Sequence, residues 1–205
     1  MTKYQRLNRE FFSRETKQVA SELLGTYLIR ETETSRIVGR IIEVEAYLGS
    51  NDKACHSYNM KKTERTKVMY QIPGTLYVYI IYGLHHCLNV ITEPEGLPCA
   101  VLIRKLYPVE GIDNMLKNRK ITIRKNYKNL VDGPGKLCQA FNITKNKFNG
   151  KDSCSSEVKL YFAQGYPVDY EIIIKSTRIG IEYAQEDKDL LLRYSLVNDK
   201  NKSIY

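Results

Sequence analysis

Apolar positions near the N-terminus recur at helical spacing. Val19, Ala20, Leu23 and Leu24 fall on one side of a segment that Ser13 can cap and Gly25 can end. The period then changes. Residues 27–30 and 37–46 read as two strands around a polar turn at 31–35. Residues 75–82, dense in Tyr, Val and Ile, predict a strand that Gly83-Leu84 turns back into a partner at 87–92. A further strand is expected over 100–106. Pro108 is read as opening a helix that carries Ile112, Met115 and Leu116 at helical spacing. Asp132-Gly133-Pro134-Gly135 predicts a turn into a short helix over 136–141, and 142–156 reads as loop. Strands return around Tyr161, at 172–174 and at 179–183. Runs of strands with helices at intervals, without β-α-β alternation, predict an α+β fold with a curved, mostly antiparallel sheet flanked by helices. No repeat, low-complexity tract or Pro/Gly/Ser linker divides the chain, so one compact domain over 1–205 is expected.

Composition narrows the possible partners. The chain has 32 Lys and Arg against 23 Asp and Glu, a formal charge of +9, which favours an anionic partner such as nucleic acid or a membrane surface. No apolar run approaches the roughly 20 residues of a bilayer-spanning helix. Met1-Thr2-Lys3-Tyr4-Gln5-Arg6 leads into polar chain, so a cytosolic protein is expected. Six Lys and Arg residues crowd positions 117–128, read as a solvated helix end and loop. The five cysteines are odd in number, show no C-x-x-C spacing and sit among apolar neighbours. They predict small buried hydrophobes rather than a disulfide framework or zinc ribbon.

Candidate chemistry gathers on the strands. In Ile42-Glu43-Val44-Glu45-Ala46-Tyr47, alternation puts Glu43, Glu45 and Tyr47 on one face. Two carboxylates beside one ring suit an acid/base pair, or simply a solvent-facing strand side. The strand runs into a polar loop holding Asn51, Asp52 and His56-Ser57-Tyr58. Tyr77, Tyr79 and Ile81 share a face, with Tyr82 on the other face or in the turn itself. Buried tyrosines are usually core, yet stacking and edge hydrogen bonds are also what holds an extruded base. An aromatic at a hairpin tip can wedge between base pairs. Arg104 shares its face with Ala100, Leu102 and Leu106, company that predicts a carboxylate partner; the same fork could hold a carboxylate and a water together. The Gly133-Pro134-Gly135-Lys136 turn is not a phosphate loop of the G-x-x-x-x-G-K-[ST] kind, but could present Lys136 and backbone amides to a DNA phosphate. His85-His86-Cys87 has no companion spacing for zinc, and neither an H-x-E deaminase signature nor a G-x-S-x-G elbow is present.

Several segments, in order, resemble the alkyladenine (3-methyladenine) DNA glycosylase family. They are Glu43-Val44-Glu45-Ala46-Tyr47-Leu48-Gly49, Ala54-Cys55-His56-Ser57, the run from Gly74 to Val90, Ala100-Val101-Leu102-Ile103-Arg104, Gly133 to Ala140, and Thr177-Arg178-Ile179-Gly180-Ile181. The resemblance extends from about Leu24 to Arg193. It implies base-excision repair of alkylated or deaminated purines in double-stranded DNA, on a single compact α+β domain acting as a monomer without metal or organic cofactor. It implies Glu45 as general base toward a water that Arg104 and the Ile179 backbone carbonyl help to position. Tyr47, His56 and Tyr79 would line the base pocket, and Asn89 would screen out normal purines. Tyr82 would fill the gap left by a flipped nucleotide, with Leu84, His85, Arg65 and Lys136 at the DNA surface.

The chain departs from the family pattern at Ser50, Glu64, Tyr70 and Asp132. Glu64 and Asp132 add negative charge near loops the resemblance places at DNA. Two alternatives stay open on sequence grounds: a damaged-DNA-binding protein that keeps the scaffold without the chemistry, and an RNA-acting hydrolase or transferase using the same pocket.

Overall fold

The computed structural model describes residues 4–122, 127–165 and 173–197, save the side chain of Lys128. Part of the basic stretch, including Arg124 and Lys125, and Ile172 of an expected strand lie outside the described residues.

Among the described residues eight strands form one open, antiparallel sheet. They are β1 (Tyr27–Glu31), β2 (Arg36–Tyr47), β3 (Leu76–Ile81), β4 (His85–Thr92), β5 (Cys99–Glu110), β6 (Leu160–Ala163), β7 (Ile173–Ser176) and β8 (Arg193–Leu196). The order runs β3-β4-β5-β2-β1-β6, with β8 bridging β2 and β7. β2 organises the sheet. One edge pairs with β5 over nearly its whole length; the other is shared between β1, opposite Arg36–Arg40, and β8, opposite Glu43–Glu45. The α+β class with an antiparallel sheet is therefore as expected.

The two sheet faces have different fates. Val44, Ala46, Leu76, Val78, Leu88, Val90, Val101 and Ile103 point into the main core. There they meet Val19, Ala20 and Leu23 of α2 (Thr16–Leu23), Met115 of α3 (Ile112–Arg119), and Leu137, Cys138 and Ala140 of α4 (Pro134–Ala140). Burying each Val, Leu, Ile or Met side chain among them contributes about 1.5–3 kcal/mol. The residues between them on the same strands face the opposite way, and that second face holds the polar site described below.

Four sequence expectations are corrected. Ser13 does not cap the long helix: its hydroxyl donates to the Glu10 carbonyl and closes α1 (Arg9–Phe12), while the Glu15 carboxylate accepts the Gln18 N–H at 3.0 Å to cap α2. Pro108 lies inside β5, not at a helix start. It faces Gly39 at a register shift, where a missing N–H costs no ladder bond. Gly39 is needed there, since a Cβ would come within 2.9 Å of the Leu106 side chain. The helix begins beyond Gly111, whose φ of +75° turns the chain. The segment 142–156 contains a helical turn, α5 (Lys145–Phe148), because Phe148 reaches the core. Residues 179–183 form no strand. Buried Arg178 ties that segment to a loop, and 3₁₀ turns follow over Glu182–Asp189, while β8, which no pattern marked, supplies the sheet edge instead.

Among the described residues no helix is long and apolar enough to cross a membrane. Cys55, Cys87, Cys99 and Cys138 are buried and all five cysteines are free.

Candidate active site

The strand register assembles the site. Tyr77 faces Asn89, Asn89 faces Leu102, Leu102 faces Glu45 and Glu45 faces Arg193, a single row across β3, β4, β5, β2 and β8. Next to this row the β2–β5 ladder is irregular. Glu43 pairs with Lys105 and Val44 with Ile103, so Arg104 is left as the extra residue of a bulge. Bulges re-aim side chains, and this one turns the guanidinium toward both carboxylates. Nε of Arg104 donates to Glu43 Oε1 at 2.9 Å, and Nη1 lies 3.2 Å from Glu45 Oε1.

Glu45 is completely buried, where a solvent-facing carboxylate had been one reading of the alternation. Its Oε1 also accepts the Ile179 N–H at 2.8 Å, and its Oε2 accepts the Tyr47 hydroxyl at 2.9 Å. Burial raises the Glu45 pKa above the usual carboxylate value. The Arg104 charge, the Ile179 N–H and the Tyr47 hydroxyl oppose that rise, and the Glu43 charge reinforces it. On Arg104, burial works against the charge, but Glu45 and Glu43 outweigh it and lift the guanidinium pKa. Glu43 Oε2 in turn meets the Ser195 hydroxyl at 3.2 Å and Arg193 at 3.5 Å, which makes Glu43 the buttress of the pair.

In front of this group lies a cavity of about 410 Å³, lined by Tyr47, His56, Arg65, Tyr77, Tyr79, Asn89, Arg104, Ile179 and their neighbours. That volume lies within the range of small-ligand pockets. Glu45 stands just behind the wall, touching three lining residues: Tyr47, Arg104 and Ile179. Tyr77 and Tyr79 lie 5.3 Å apart, and the His56 ring packs edge-on to Tyr79 at 4.7 Å. Burial pushes both tyrosines up, Tyr77 to about 12, so neutral hydroxyls face the cavity.

His56 is held by two partners. Its Nε2 meets the Arg65 Nη2 at 3.2 Å and its Nδ1 meets the Tyr77 hydroxyl at 3.0 Å. Arginine can only donate, so Nε2 accepts and Nδ1 carries the proton. Burial, then the Arg65 and Lys61 charges, lower its pKa to about 4, so the ring is neutral near pH 7. Asn89 is buried and donates to the Tyr77 carbonyl at 3.1 Å.

Toward the surface, Tyr82 and Gly83 have φ of +50° and +69° at the tip of the β3–β4 hairpin. The Tyr82 side chain is 90% exposed and Leu84 79% exposed, with His85 exposed beside them. A left-handed tyrosine costs roughly 1–2 kcal/mol relative to a relaxed backbone, and such strain collects at functional positions. The start of α4 packs against this tip: a Cβ on Gly135 would lie 3.2 Å from the His85 Cβ. Lys136 is exposed next to it. Arg65, grouped by resemblance with the DNA surface, is exposed and also lines the cavity. The added carboxylates are both paired, Glu64 with Lys67 at 2.6 Å and Asp132 with Lys105 at 3.3 Å. Among the described residues no group of three or more His, Cys, Asp or Glu side chains could hold a metal ion.

Two contacts have no counterpart in the sequence pattern. One is the hydrogen bond of Tyr77 with His56. The other is the Arg178–Asp52 pair, with N–O distances of 2.5 and 2.8 Å and no meaningful exposure of either side chain. It fixes the Ile179 segment against the loop after β2, and Arg178 Cζ stacks 4.8 Å from the Tyr47 ring centroid.

Comparison with known proteins identifies the family. The methylpurine-DNA glycosylase family model matches residues 10–200. A Clostridium novyi protein provisionally named a 3-methyladenine DNA glycosylase is 47% identical over 201 residues, covering 95% of this chain and 96% of its own. Proteins with the same name from Desulfitobacterium hafniense and Clostridium perfringens are 45% and 44% identical, covering 97% and 95% of this chain and 98% and 97% of their own. With a family match spanning nearly the whole chain and close relatives of the same length, the chain belongs to the methylpurine-DNA glycosylase family.

Proposed function

We propose that this DNA glycosylase hydrolyses the N-glycosidic bond of alkylated or deaminated purines, 3-methyladenine, 7-methylguanine, ethenoadenine and hypoxanthine among them, flipped out of double-stranded DNA. Family and relatives support the DNA glycosylase reading at the coarser level. The observation that carries the finer one is the buried, fixed Glu45 directly behind an aromatic cavity. Oε1 already accepts from the Ile179 N–H and faces Arg104; Oε2 accepts one bond, from Tyr47, and keeps a lone pair for a water. In the reaction the water oxygen bonds to C1′, its proton passes to Glu45, and the C1′–N9 electron pair leaves with the purine. The carboxylate also favours the positive charge that develops on the sugar. The rings of Tyr47 and Tyr79 stack on the base, His56 exchanges one of its present partners for the edge of the base, Asn89 shapes the pocket against normal purines, and Leu84, His85 and Lys136 meet the surrounding DNA. A single lesion has no two-fold symmetry, which suits a monomer.

The test is purine release from duplexes carrying one hypoxanthine or one ethenoadenine, and from methylated DNA, with borohydride present in a parallel arm. Free base with no trapped protein–DNA adduct is expected. An adduct would replace the water with an amine nucleophile, and no release of any purine would leave a non-catalytic binding scaffold.

Tyr82 should behave as a wedge rather than a structural residue. Tyr82→Gly removes the ring and relieves the left-handed strain, so thermal stability is expected to hold or rise. Lesion-duplex affinity should fall by about 1–3 kcal/mol, the usual worth of one base–aromatic stack. Equal affinity of the variant and the wild type for the same duplex would remove Tyr82 from this role.

A further inference from the structure

Two guanidinium groups line the cavity, and their charges are balanced differently. Arg104 faces two carboxylates. Arg65, among the described residues, pairs with none: it donates to neutral His56 at 3.2 Å and stands with Cζ 5.1 Å from the Tyr79 ring centroid. The wall where a base would stack therefore carries an uncompensated positive charge. We infer that Arg65 is a specificity-determining residue that biases the base site toward neutral damaged purines and against cationic alkylated ones. The inference rests on the glycosylase reading above.

Two effects act in the same direction. A purine alkylated at N3 or N7 enters with a positive charge and is repelled by Arg65, which must give up its place over Tyr79 or tolerate the like charge. A neutral purine meets no such penalty. As the C1′–N9 bond breaks, the electron pair stays on the purine. A cationic purine leaves neutral and gains nothing from a nearby cation. Hypoxanthine leaves as an anion, which takes up a solvent proton afterwards, and Arg65 stabilises the negative charge while it forms. Among the lining residues His56 Nδ1–H is engaged by Tyr77, and burial raises the pKa of the Tyr47, Tyr77, Tyr79 and Tyr183 hydroxyls and of the Cys55 and Cys87 thiols, which makes them poor acids toward a neutral leaving group. A fixed cation supplies part of what an acid would. Arg65 itself is exposed, so solvent and salt weaken the interaction without abolishing it.

The experiment is single-turnover base release from otherwise identical duplexes carrying either 7-methylguanine or hypoxanthine. Wild type, Arg65→Gln and Arg65→Lys are compared at fixed salt. Arg65→Gln is expected to shift the rate ratio about tenfold toward 7-methylguanine, and Arg65→Lys, which keeps the charge, to leave it within about twofold. An equal loss on both lesions with a shallower salt dependence of duplex binding would make Arg65 a phosphate contact and overturn the inference. An unmoved ratio would overturn it as well. If wild type releases neither base, the glycosylase reading fails and this inference falls with it; release by wild type with an unmoved ratio sinks the inference alone.

Discussion

Glu45→Gln is expected to release damaged purines about 10²–10⁴-fold more slowly than wild type, the usual worth of a positioned general base. The amide fills the same space, and its carbonyl oxygen can accept the Ile179 N–H and Arg104 contacts that now reach Oε1. Arg104 keeps Glu43, so no guanidinium is stranded in the interior. The variant should therefore fold and bind a lesion duplex nearly as wild type does, while lacking a base for the water. The pH profile gives an independent reading. Because burial raises the Glu45 pKa, the acid limb of kcat/KM should lie above the ordinary glutamate value of 4.5, with activity lost as pH falls through it. The Arg104 charge opposes that rise, so Arg104→Gln should move the limb to still higher pH. A Glu45→Gln variant within tenfold of wild type, or an Arg104→Gln limb moving down, would take the general-base role away from Glu45.

Much of this site could be read from local pattern, because strand alternation is local. Glu43, Glu45 and Tyr47 share a face as their spacing requires, and Arg104 takes the carboxylate partners its apolar company called for. Gly83 marked the hairpin that carries Tyr82. What alternation cannot say is which face of a strand another layer will cover, so Glu45 could equally have been solvated. Pro108 misled for a related reason: its missing N–H suits a helix start and a strand irregularity alike, and only Gly39 on the neighbouring strand decides between them. The His56–Tyr77 bond joins residues 21 apart, and the Arg178–Asp52 bridge joins residues 126 apart. No periodicity connects such positions; the fold brings them together. Strand β8 is short and gains its stability from pairing with β2 and β7 rather than from its own sequence.

Arg178→Ala is expected to destabilise the protein by about 3–5 kcal/mol, the typical cost of removing one partner from a buried ion pair. For a chain of 205 residues this corresponds to a Tm lower by roughly 6–20 °C. The reason lies in what Asp52 keeps. With the guanidinium gone, its carboxylate retains the Leu48 and Ala54 N–H groups, at 3.0 Å each, in a site with no solvent to neutralise the charge. Arg178 also donates to the Ala46 carbonyl at 3.0 Å, so the end of β2, two loops and the Ile179 segment are tied by one side chain. Loss of the tie should release the Ile179 N–H from Glu45, and base release at temperatures where the variant is still folded should fall too. Pairing Arg178→Ala with Asp52→Asn separates the two effects. The neutral amide removes the stranded charge, so the double variant should recover a good part of the stability lost in Arg178→Ala, yet base release should stay low because the Ile179 segment is still untethered. Urea denaturation giving less than 1 kcal/mol for Arg178→Ala, or recovery of full activity in the double variant, would mean that other contacts hold Ile179 against Glu45.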